Sequence, residues 1–260
     1  NTGGHHNTAT GYKAFYSNEG GSYNTGVGYM SLHSNVSGYN NTGIGVEVLS
    51  NNENGSYNVG LGSYALRANT SGRSNTAIGL NTLRQNTSGS YNTANGDGAL
   101  YRNGEGVYNT AIGNNALRYN TTSNNTAVGA YTLLYNTTGY SNVAIGVRAL
   151  YRNSVHSNLV AIGDSALFYN GYGTSSSIEA IFNTAVGSKA LFSNTTGSYN
   201  TGTGYQVLYS NTIGRGNAAF GFNALRENSI GHSNSAFGYN ALNSNTEGRR
   251  NTAAGYHALA

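Results

Sequence analysis

Residues 75–91 read NTAIGLNTLRQNTSGSY, and residues 183–199 read NTAVGSKALFSNTTGSY. Both are copies of a 17-residue unit, N-T-A-I-G-x-x-A-L-x-x-N-T-T-G-x-x, which begins at Asn7 and recurs along the chain. There are fourteen full units and a shortened fifteenth, and the chain starts and stops inside a unit. We therefore expect a segment of a longer repetitive protein, and we number the positions of the unit from one to seventeen.

Several positions hardly vary from unit to unit. The fifth is always Gly, the third is only Ala or Gly, the ninth is Leu except for Phe15, and the twelfth is Asn in every full unit. Two units differ in length. The unit from Asn109 is one residue short, and the unit from Leu159 carries seven extra residues within 171–182. Both changes fall after the twelfth position, which predicts a corner that faces solvent.

The length of the unit selects the fold. A helical solenoid needs about 33–45 residues per repeat, whereas one β-coil needs only short strands and tight corners. Positions two to four alternate in the manner of a strand, and the exchange of Thr for Val at position two predicts that positions two and four point into the coil. Asn at twelve and Gly at fifteen predict corners with positive φ. The A-L-x-x-N stretch fits either a short strand or a helical turn. The sequence thus predicts an all-β fold, a parallel β-solenoid (β-roll) of 17-residue coils, running as one segment over 1–260.

Stacking places equal positions of successive coils about 4.8 Å apart. The position-twelve amides should then bond to one another as a corner ladder. The small residues at position three, combined with a thin core, predict close chain–chain packing in a parallel homotrimeric rod. The ladder comprises Asn18, Asn35, Asn52, Asn69, Asn86, Asn103 and Asn120, and the candidate packing residues are Ala77, Ala94, Ala111, Ala127 and Ala144.

Composition excludes several other classes of protein. The chain has 41 Asn, 38 Gly, no Pro and no Cys among 260 residues, and its net charge is +4 with 8% charged residues. Disulfide scaffolds and thiolate metal sites are excluded, and the low charge argues against disorder. No apolar run approaches the ~18 residues of a membrane span.

Charged and aromatic residues show no catalytic pattern. Carboxylates that share a position, such as Glu19 and Glu53, fall two coils or about 10 Å apart, which is too far for a glycosidase pair. We expect no enzyme activity, no metal and no cofactor. Arg67, Arg84 and Arg118 form a basic stripe with Tyr101, for which a solvated face is favoured over nucleic-acid binding. The 22 tyrosines favour packing between chains over stacking on sugars.

The N-T-A-I-G stretch resembles the N-S-V-A-I-G repeat in the heads of trimeric autotransporter adhesins. The whole unit, as at 183–197, is also similar to repeats of bacterial and phage tail-fibre-domain proteins. The first resemblance implies a left-handed parallel β-roll in which three chains wrap one axis, and both imply an extracellular, cell-surface or virion fibre. The period of 17 departs from the shorter unit of the adhesin heads.

These observations predict an extracellular structural or adhesive fibre whose main partner is itself, with a host surface or a glycan as a further partner. The alternative is an ice-binding solenoid with a Thr ladder, against which the predicted inward Thr argues. In the insertion, Tyr172 and Ile178 are expected to protrude and contact a partner, while Ile181 and Phe182 pack against the coil. Asn-x-Ser/Thr triplets at six position-twelve corners would be glycosylated only if that corner is open to solvent.

Overall fold

The computed structural model describes residues 2–260, which divide into two compact units, Asn1–Asn125 and Thr126–Ala260. Both units are all-β parallel β-solenoids built from coils of about 17 residues, and no described residue is helical. The boundary follows directly after the one repeat that is a residue short. The first unit holds β1 (Thr8–Thr10), β2 (Thr25–Val27), β3 (Thr42–Ile44), β4 (Val59–Leu61), β5 (Thr76–Ile78), β6 (Thr93–Asn95) and β7 (Thr110–Ile112). The second unit holds β8 (Thr126–Val128), β9 (Val143–Ile145), β10 (Val160–Ile162), β11 (Thr184–Val186), β12 (Thr201–Thr203), β13 (Ala218–Phe220), β14 (Ser235–Phe237) and β15 (Thr252–Ala254).

Each coil contributes one three-residue strand, at positions two to four, to a parallel sheet. Within each unit every strand pairs with the next strand in the chain and keeps equal positions opposite one another, as with Thr76 and Thr93. The insertion does not disturb this register, because Val160 of β10 still pairs with Thr184 of β11. Parallel stacking of equal positions is therefore confirmed, and the extra residues leave the coil outside the sheet.

The side chains of each strand alternate between buried and exposed as expected, but the buried and exposed positions are the reverse of those predicted. Position three is buried in fourteen of the fifteen strands, whereas positions two and four are partly or largely exposed. Val143 at position two and Ile145 at position four are both more than a third exposed. The prediction that Thr/Val and Ile/Val point inward is wrong. The coil is so narrow that only the hydrogen or methyl of Gly or Ala fits inside the strand, and the β-branched side chains lie outside, where they still suit a pleated surface.

The core of each coil consists of the small residue at position three, the residue at position eight and the Leu at position nine. Leu66, Leu100, Leu150 and Leu191 are fully buried. The choice between Gly and Ala at position three follows the size of its neighbours. A Cβ on Gly60 would overlap the Val48 side chain, and a Cβ on Gly26 would lie 2.6 Å from the Phe15 ring. Phe15 and Val48 therefore leave room only for Gly at these two positions.

The predicted chain–chain packing residues lie inside the coils. Ala77, Ala94, Ala111, Ala127 and Ala144 are all 0% exposed in the single chain. The expectation that this column packs against a neighbouring chain is wrong, since no surface of these side chains is left for a partner. Their small size serves close packing within one coil.

The A-L-x-x-N stretch is neither a strand nor a helix, but a continuous turn. Positive φ occurs at positions five, seven, nine and seventeen, for example +127° at Gly79, +57° at Asn81 and +50° at Leu83. The asparagines at twelve and the glycines at fifteen are outside this set, which corrects the predicted location of the left-handed residues. Positive φ is costly for Leu. It lets the Leu83 N–H donate to the Ala99 carbonyl of the next coil at 3.0 Å while the side chain stays buried.

The corner contains the expected amide ladder. Asn35 Nδ2 donates to Asn18 Oδ1 at 2.9 Å, and the same bond recurs through Asn52, Asn69, Asn86 and Asn103 at 2.7–2.8 Å. Each amide also donates to the carbonyl at position fifteen of its own coil, as with Asn69 and Gly72 at 3.1 Å. Asn120 donates to Thr122 O at 2.7 Å because its repeat is one residue short.

A second amide ladder, which the sequence analysis missed, runs along position one. Asn75 Nδ2 donates to Asn58 Oδ1 of the preceding coil at 3.1 Å and to Gly89 O, at position fifteen of its own coil, at 2.9 Å. The Asn75 backbone N–H donates to the same Asn58 oxygen at 3.0 Å. Most of these side chains are buried, so a regular coil contributes two hydrogen-bonded asparagines to its interior, and Leu159 interrupts the second ladder in the coil of β10. The first residue of the N-T-A-I-G stretch is thus as structural as the corner Asn.

Candidate functional site

Within each unit, the side chains at positions two, four and six form one exposed surface beside the sheet, which we call the outer face. In the first unit its large exposed members are Tyr12, Tyr29, Ile44, Val46, Val59, Leu61, Leu80 and Ile112. In the second unit they are Val143, Ile145, Val147, Tyr205, Phe220, Phe222, Phe237, Tyr239 and Tyr256. Most are roughly 40% exposed, and Tyr12 and Tyr256 are more exposed, at 62% and 76%. Large exposed apolar patches of this kind are typical of interaction surfaces.

Aromatic side chains at equal positions stack on one another. In the second unit, a column of stacked rings runs along position six, with neighbouring ring centroids 5.0–5.2 Å apart. It comprises Tyr205, Phe222, Tyr239 and Tyr256. Tyr151, Phe168, Phe192 and Tyr209 form a similar column at position ten. The stacking holds each ring in place, so the rings present a preorganised surface at low entropic cost.

The basic stripe of the first unit packs on tyrosines. The guanidinium groups of Arg84 and Arg118 lie 5.1 Å from the centroids of Tyr64 and Tyr101, respectively. Arg67 also pairs with Glu47 at 2.6 Å. Cation–π contacts of this kind account for Arg and Tyr on one face without any ligand.

The insertion in the coil of β10, residues 171–182, is an ordered loop. Its first N–H, on Gly171, donates to Thr195 O at 2.9 Å, and the Ala180 N–H donates to Thr196 O at 3.3 Å. Inside the loop, Thr174 Oγ1 donates to Glu179 Oε2 at 3.0 Å, and Glu179 lies 4.0 Å from Arg215. The loop is thus hydrogen-bonded to the next coil near both of its ends, and Thr174 and Glu179 connect its two halves.

The two loop residues predicted to protrude do reach the surface, in different ways. Ile178 is 79% exposed, more than any other large apolar residue of the described chain. Tyr172 is 54% exposed, yet its ring lies 5.3 Å from the Arg152 guanidinium and packs edge-on against Tyr169. Ile178 is therefore a free apolar tip, and Tyr172 is one wall of a cleft.

The end of the loop rejoins the coil earlier than predicted. Ala180 is fully buried, and its carbonyl accepts from Asn170 Nδ2 at 3.0 Å, which is the contact that position fifteen makes elsewhere. Ile181 is half-buried, but Phe182 is 49% exposed and stacks on Tyr199. The prediction that Phe182 packs into the coil is wrong. Phe182 occupies position seventeen, where Tyr199 and the other aromatic residues point outward.

A buried histidine, also missed from the sequence, lies beneath the loop. His156 replaces the glycine of position fifteen, is 0% exposed, and neither of its ring nitrogens has a hydrogen-bond partner among residues 2–260. A Cβ on Gly171 would overlap its ring, so the loop starts by passing directly over it. Burial lowers the pKa of His156 below 6.5, opposed by the Ser176 backbone and the Glu179 charge. The sequence signal was a bulky residue at position fifteen, in the unit directly before the one that carries the insertion.

The corner asparagines are closed to modification in the folded chain. Every Asn of the six position-twelve Asn-x-Ser/Thr triplets is fully buried: Asn35, Asn69, Asn86, Asn120, Asn136 and Asn194. The condition for glycosylation, a solvent-facing amide, is not met. The loop next to the ladder faces solvent, while the amide itself points inward.

Within 2–260, no three His, Asp or Glu side chains are grouped so that they could hold a metal ion, and no helix is long and apolar enough to cross a membrane. The chain matches no protein-family profile and no curated protein. The outer face and the insertion loop are therefore the two candidate functional surfaces of the chain.

Proposed function

We propose that this chain is a structural and adhesive fibre segment that works outside the cell, as a binding and building protein rather than an enzyme. The repeated coils support this, because a solenoid presents the same surface many times over and so suits many weak, identical contacts. The ordered but almost uncharged composition supports it further. The observation that carries the proposal is the apolar outer face of each unit.

The partner of the outer face is further copies of the same chain, arranged in parallel as a homotrimer. A second copy has its apolar residues at the same spacing of about 4.8 Å per coil, so side chains can interdigitate coil by coil. Few charges interrupt the face, since Asp97 and Asp164 are the acidic residues at position six. The outer face replaces the alanine column as the proposed chain–chain contact.

Charge substitutions test this assignment. Ile44→Lys, Leu61→Lys and Leu80→Lys together place three cations on the outer face of the first unit. The control is Tyr57→Lys, Tyr91→Lys and Tyr108→Lys, which are exposed at position seventeen. We expect a trimer mass by light scattering for the parent and the control, and a monomer for the outer-face variant with an unchanged circular dichroism spectrum. A monomeric parent would refute the proposal.

Attachment is tested with the insertion loop. Residues 171–182 are replaced by Thr-Thr-Gly-Ser-Tyr, the corner of the next coil, and His156→Gly restores the regular column. The variant should fold and assemble like the parent, but lose adhesion to surfaces or lateral bundling of fibres. Equal adhesion by the shortened protein would show that the loop is only tolerated.

A second candidate, an ice-binding solenoid, gains support from the outward position-two column. Ten of the fifteen strands present Thr at this position, and its side chain points away from the core. Val59, Val143, Val160 and Ala218 interrupt the column, and bulky apolar residues flank it at position four. A thermal-hysteresis measurement on the purified chain decides the matter, and no hysteresis at millimolar concentration would eliminate this candidate.

A further inference from the structure

The insertion loop and the coil beside it enclose a cleft in the second unit. Its volume is about 450 Å³, and its walls are Tyr135, Arg152, Ser154 and residues 171–175. This volume is within the range of small-ligand sites. Five of its eight lining residues, 171–175, belong to the insertion loop, so the cleft depends on the loop.

Arg152 in this cleft is held in place but has no acceptor. Its guanidinium lies 5.3–5.4 Å from the centroids of Tyr135, Tyr151 and Tyr172. Its Nε is screened from solvent without a hydrogen-bond partner, and no carboxylate among residues 2–260 lies within ion-pair distance. Arg guanidinium groups present five N–H donors and no acceptor. A partly buried guanidinium without an acceptor is a site prepared for an anion.

The one acidic residue of the loop does not fill this role. Glu179 accepts from Thr174 Oγ1 and lies 4.0 Å from Arg215. Both of its oxygens are therefore engaged away from Arg152. Within the described residues no carboxylate serves Arg152, so its guanidinium is available to an acceptor from solvent or from a ligand.

The other walls of the cleft indicate more than a bare anion. Tyr135 and Tyr172 are both partly exposed, and a tyrosine face packs well on the C–H face of a sugar ring. Ser154 and Ser175 line the same cleft and bring hydroxyl groups to it. A ligand that fits these walls has a carboxylate, several hydroxyls and an apolar ring face.

We propose that this cleft binds an acidic saccharide, with a hexuronic-acid carboxylate on Arg152 and its sugar ring between Tyr135 and Tyr172. The inference deepens the adhesive part of the proposed function by naming the class of ligand. It does not depend on assembly, because the cleft is formed within one chain.

The test is titration calorimetry of the full chain with trigalacturonic acid, with maltotriose as the neutral control. Arg152→Gln removes the charge in the cleft, and Arg148→Gln removes an exposed charge outside it. We expect trigalacturonic acid to bind, about tenfold or greater weakening in Arg152→Gln, and less than about twofold change in Arg148→Gln. Tyr172→Ala should weaken binding, and Tyr172→Phe should restore it, because stacking needs the ring and not its hydroxyl.

Three results would overturn the inference. The first is that trigalacturonic acid does not bind, and the second is that the two arginine substitutions weaken binding equally. The third is that inorganic phosphate competes as strongly as the saccharide, which would mean a simple anion site. The light-scattering assay of the outer-face variants reports on the fibre independently. Failure of the ligand test with an intact trimer therefore removes only this inference.

Discussion

A regular corner of the first unit and the insertion corner of the second both supply a carbonyl acceptor to the corner Asn, but from chain segments of different length. At the regular corner, Asn69 Nδ2 donates to the carbonyl of Gly72, three residues later, at 3.1 Å. At the insertion corner, Asn170 Nδ2 donates to the carbonyl of Ala180, ten residues later, at 3.0 Å. The corner Asn thus requires a carbonyl oxygen at one point in space. The number of residues between the Asn and that carbonyl can vary, and the residue that supplies the carbonyl need not be glycine.

The same comparison shows what the glycine is for. A Cβ on Gly72 would overlap Asn69 Oδ1 and the Gly89 carbonyl of the next coil, so glycine is required there by close approach. Ala180 has a φ of +51°, whereas Gly72 does not have a positive φ, so the Ala180 Cβ leaves the backbone in another direction. The insertion can therefore carry a side chain where the regular corner cannot.

The largest expected effect comes from breaking the ladder itself. Asn69→Ala leaves Asn52 Oδ1 without its donor and Asn86 Nδ2 without one of its acceptors, at about 1–3 kcal/mol for each buried group. Asn170→Ala should cost a similar amount, since its amide makes the same kinds of contact. The measurement is chemical denaturation, with the exposed Asn51→Ala as control. A loss at Asn69 no greater than at Asn51 would mean that the ladder contributes little.

A smaller loss is expected at the position-fifteen glycine. Gly72→Ala should destabilise the first unit by about 1–3 kcal/mol, because its methyl group has to displace backbone and amide atoms. Ala180→Gly is the matched variant and should be near neutral, since the preference of glycine for positive φ offsets the lost methyl. Equal losses in the two variants would contradict the assigned difference between the corners.

The pH dependence of the insertion corner is the next smaller effect. Because burial lowers the pKa of His156 in the folded chain, the unfolded chain binds a proton more readily. Stability is therefore complete above pH 6.5 and decreases as the pH falls from 6.5 towards the folded pKa. The protection factors of the Gly171 and Ala180 amides against hydrogen exchange, which correct for the intrinsic pH dependence of exchange, should fall over this range. His156→Gln should abolish the change, and an unchanged pH dependence in that variant would assign it to another group, such as His232, whose pKa is also lowered.

The smallest effect on stability is expected at the tip of the loop. Ile178→Ser alters a side chain that is almost fully exposed, so the free energy of unfolding should change by less than about 0.5 kcal/mol. Adhesion or bundling should nevertheless decrease if this apolar tip contacts a partner. The matched variant is Ser177→Ala beside it, which should change neither property.

Much of the fold could be predicted from the repeat. The strand at positions two to four, the corner ladder and an insertion at a solvent-facing corner all follow from which positions stay constant. Which side chains of the strand face the core could not be predicted, because exchange of Thr for Val suits an exposed β-surface as well as an interior. Only the width of the coil decides between them, and that width depends on how the turn at positions six to eleven folds.

The candidate sites were predictable only in part. The extra residues at 171–182 marked the loop, and its apolar Ile178 marked the exposed tip. The cleft was not predictable, since Arg152 and Tyr135 come from neighbouring coils and face the loop only after it turns back. His156 escaped notice because a lone histidine in a repeat resembles ordinary variation until the residue above it is known.

The way the loop re-enters the coil at Ala180 makes the solenoid a display scaffold. A foreign peptide grafted between positions twelve and fifteen needs only to place one backbone carbonyl where the corner Asn amide can donate to it. The residue that carries this carbonyl has to be small, as Ala180 is. The sheet, the second ladder and the outer face need no change, because the seven extra residues already leave the strand register intact. Every regular coil is therefore a separate mounting point, and an engineered array could carry a different epitope on each turn.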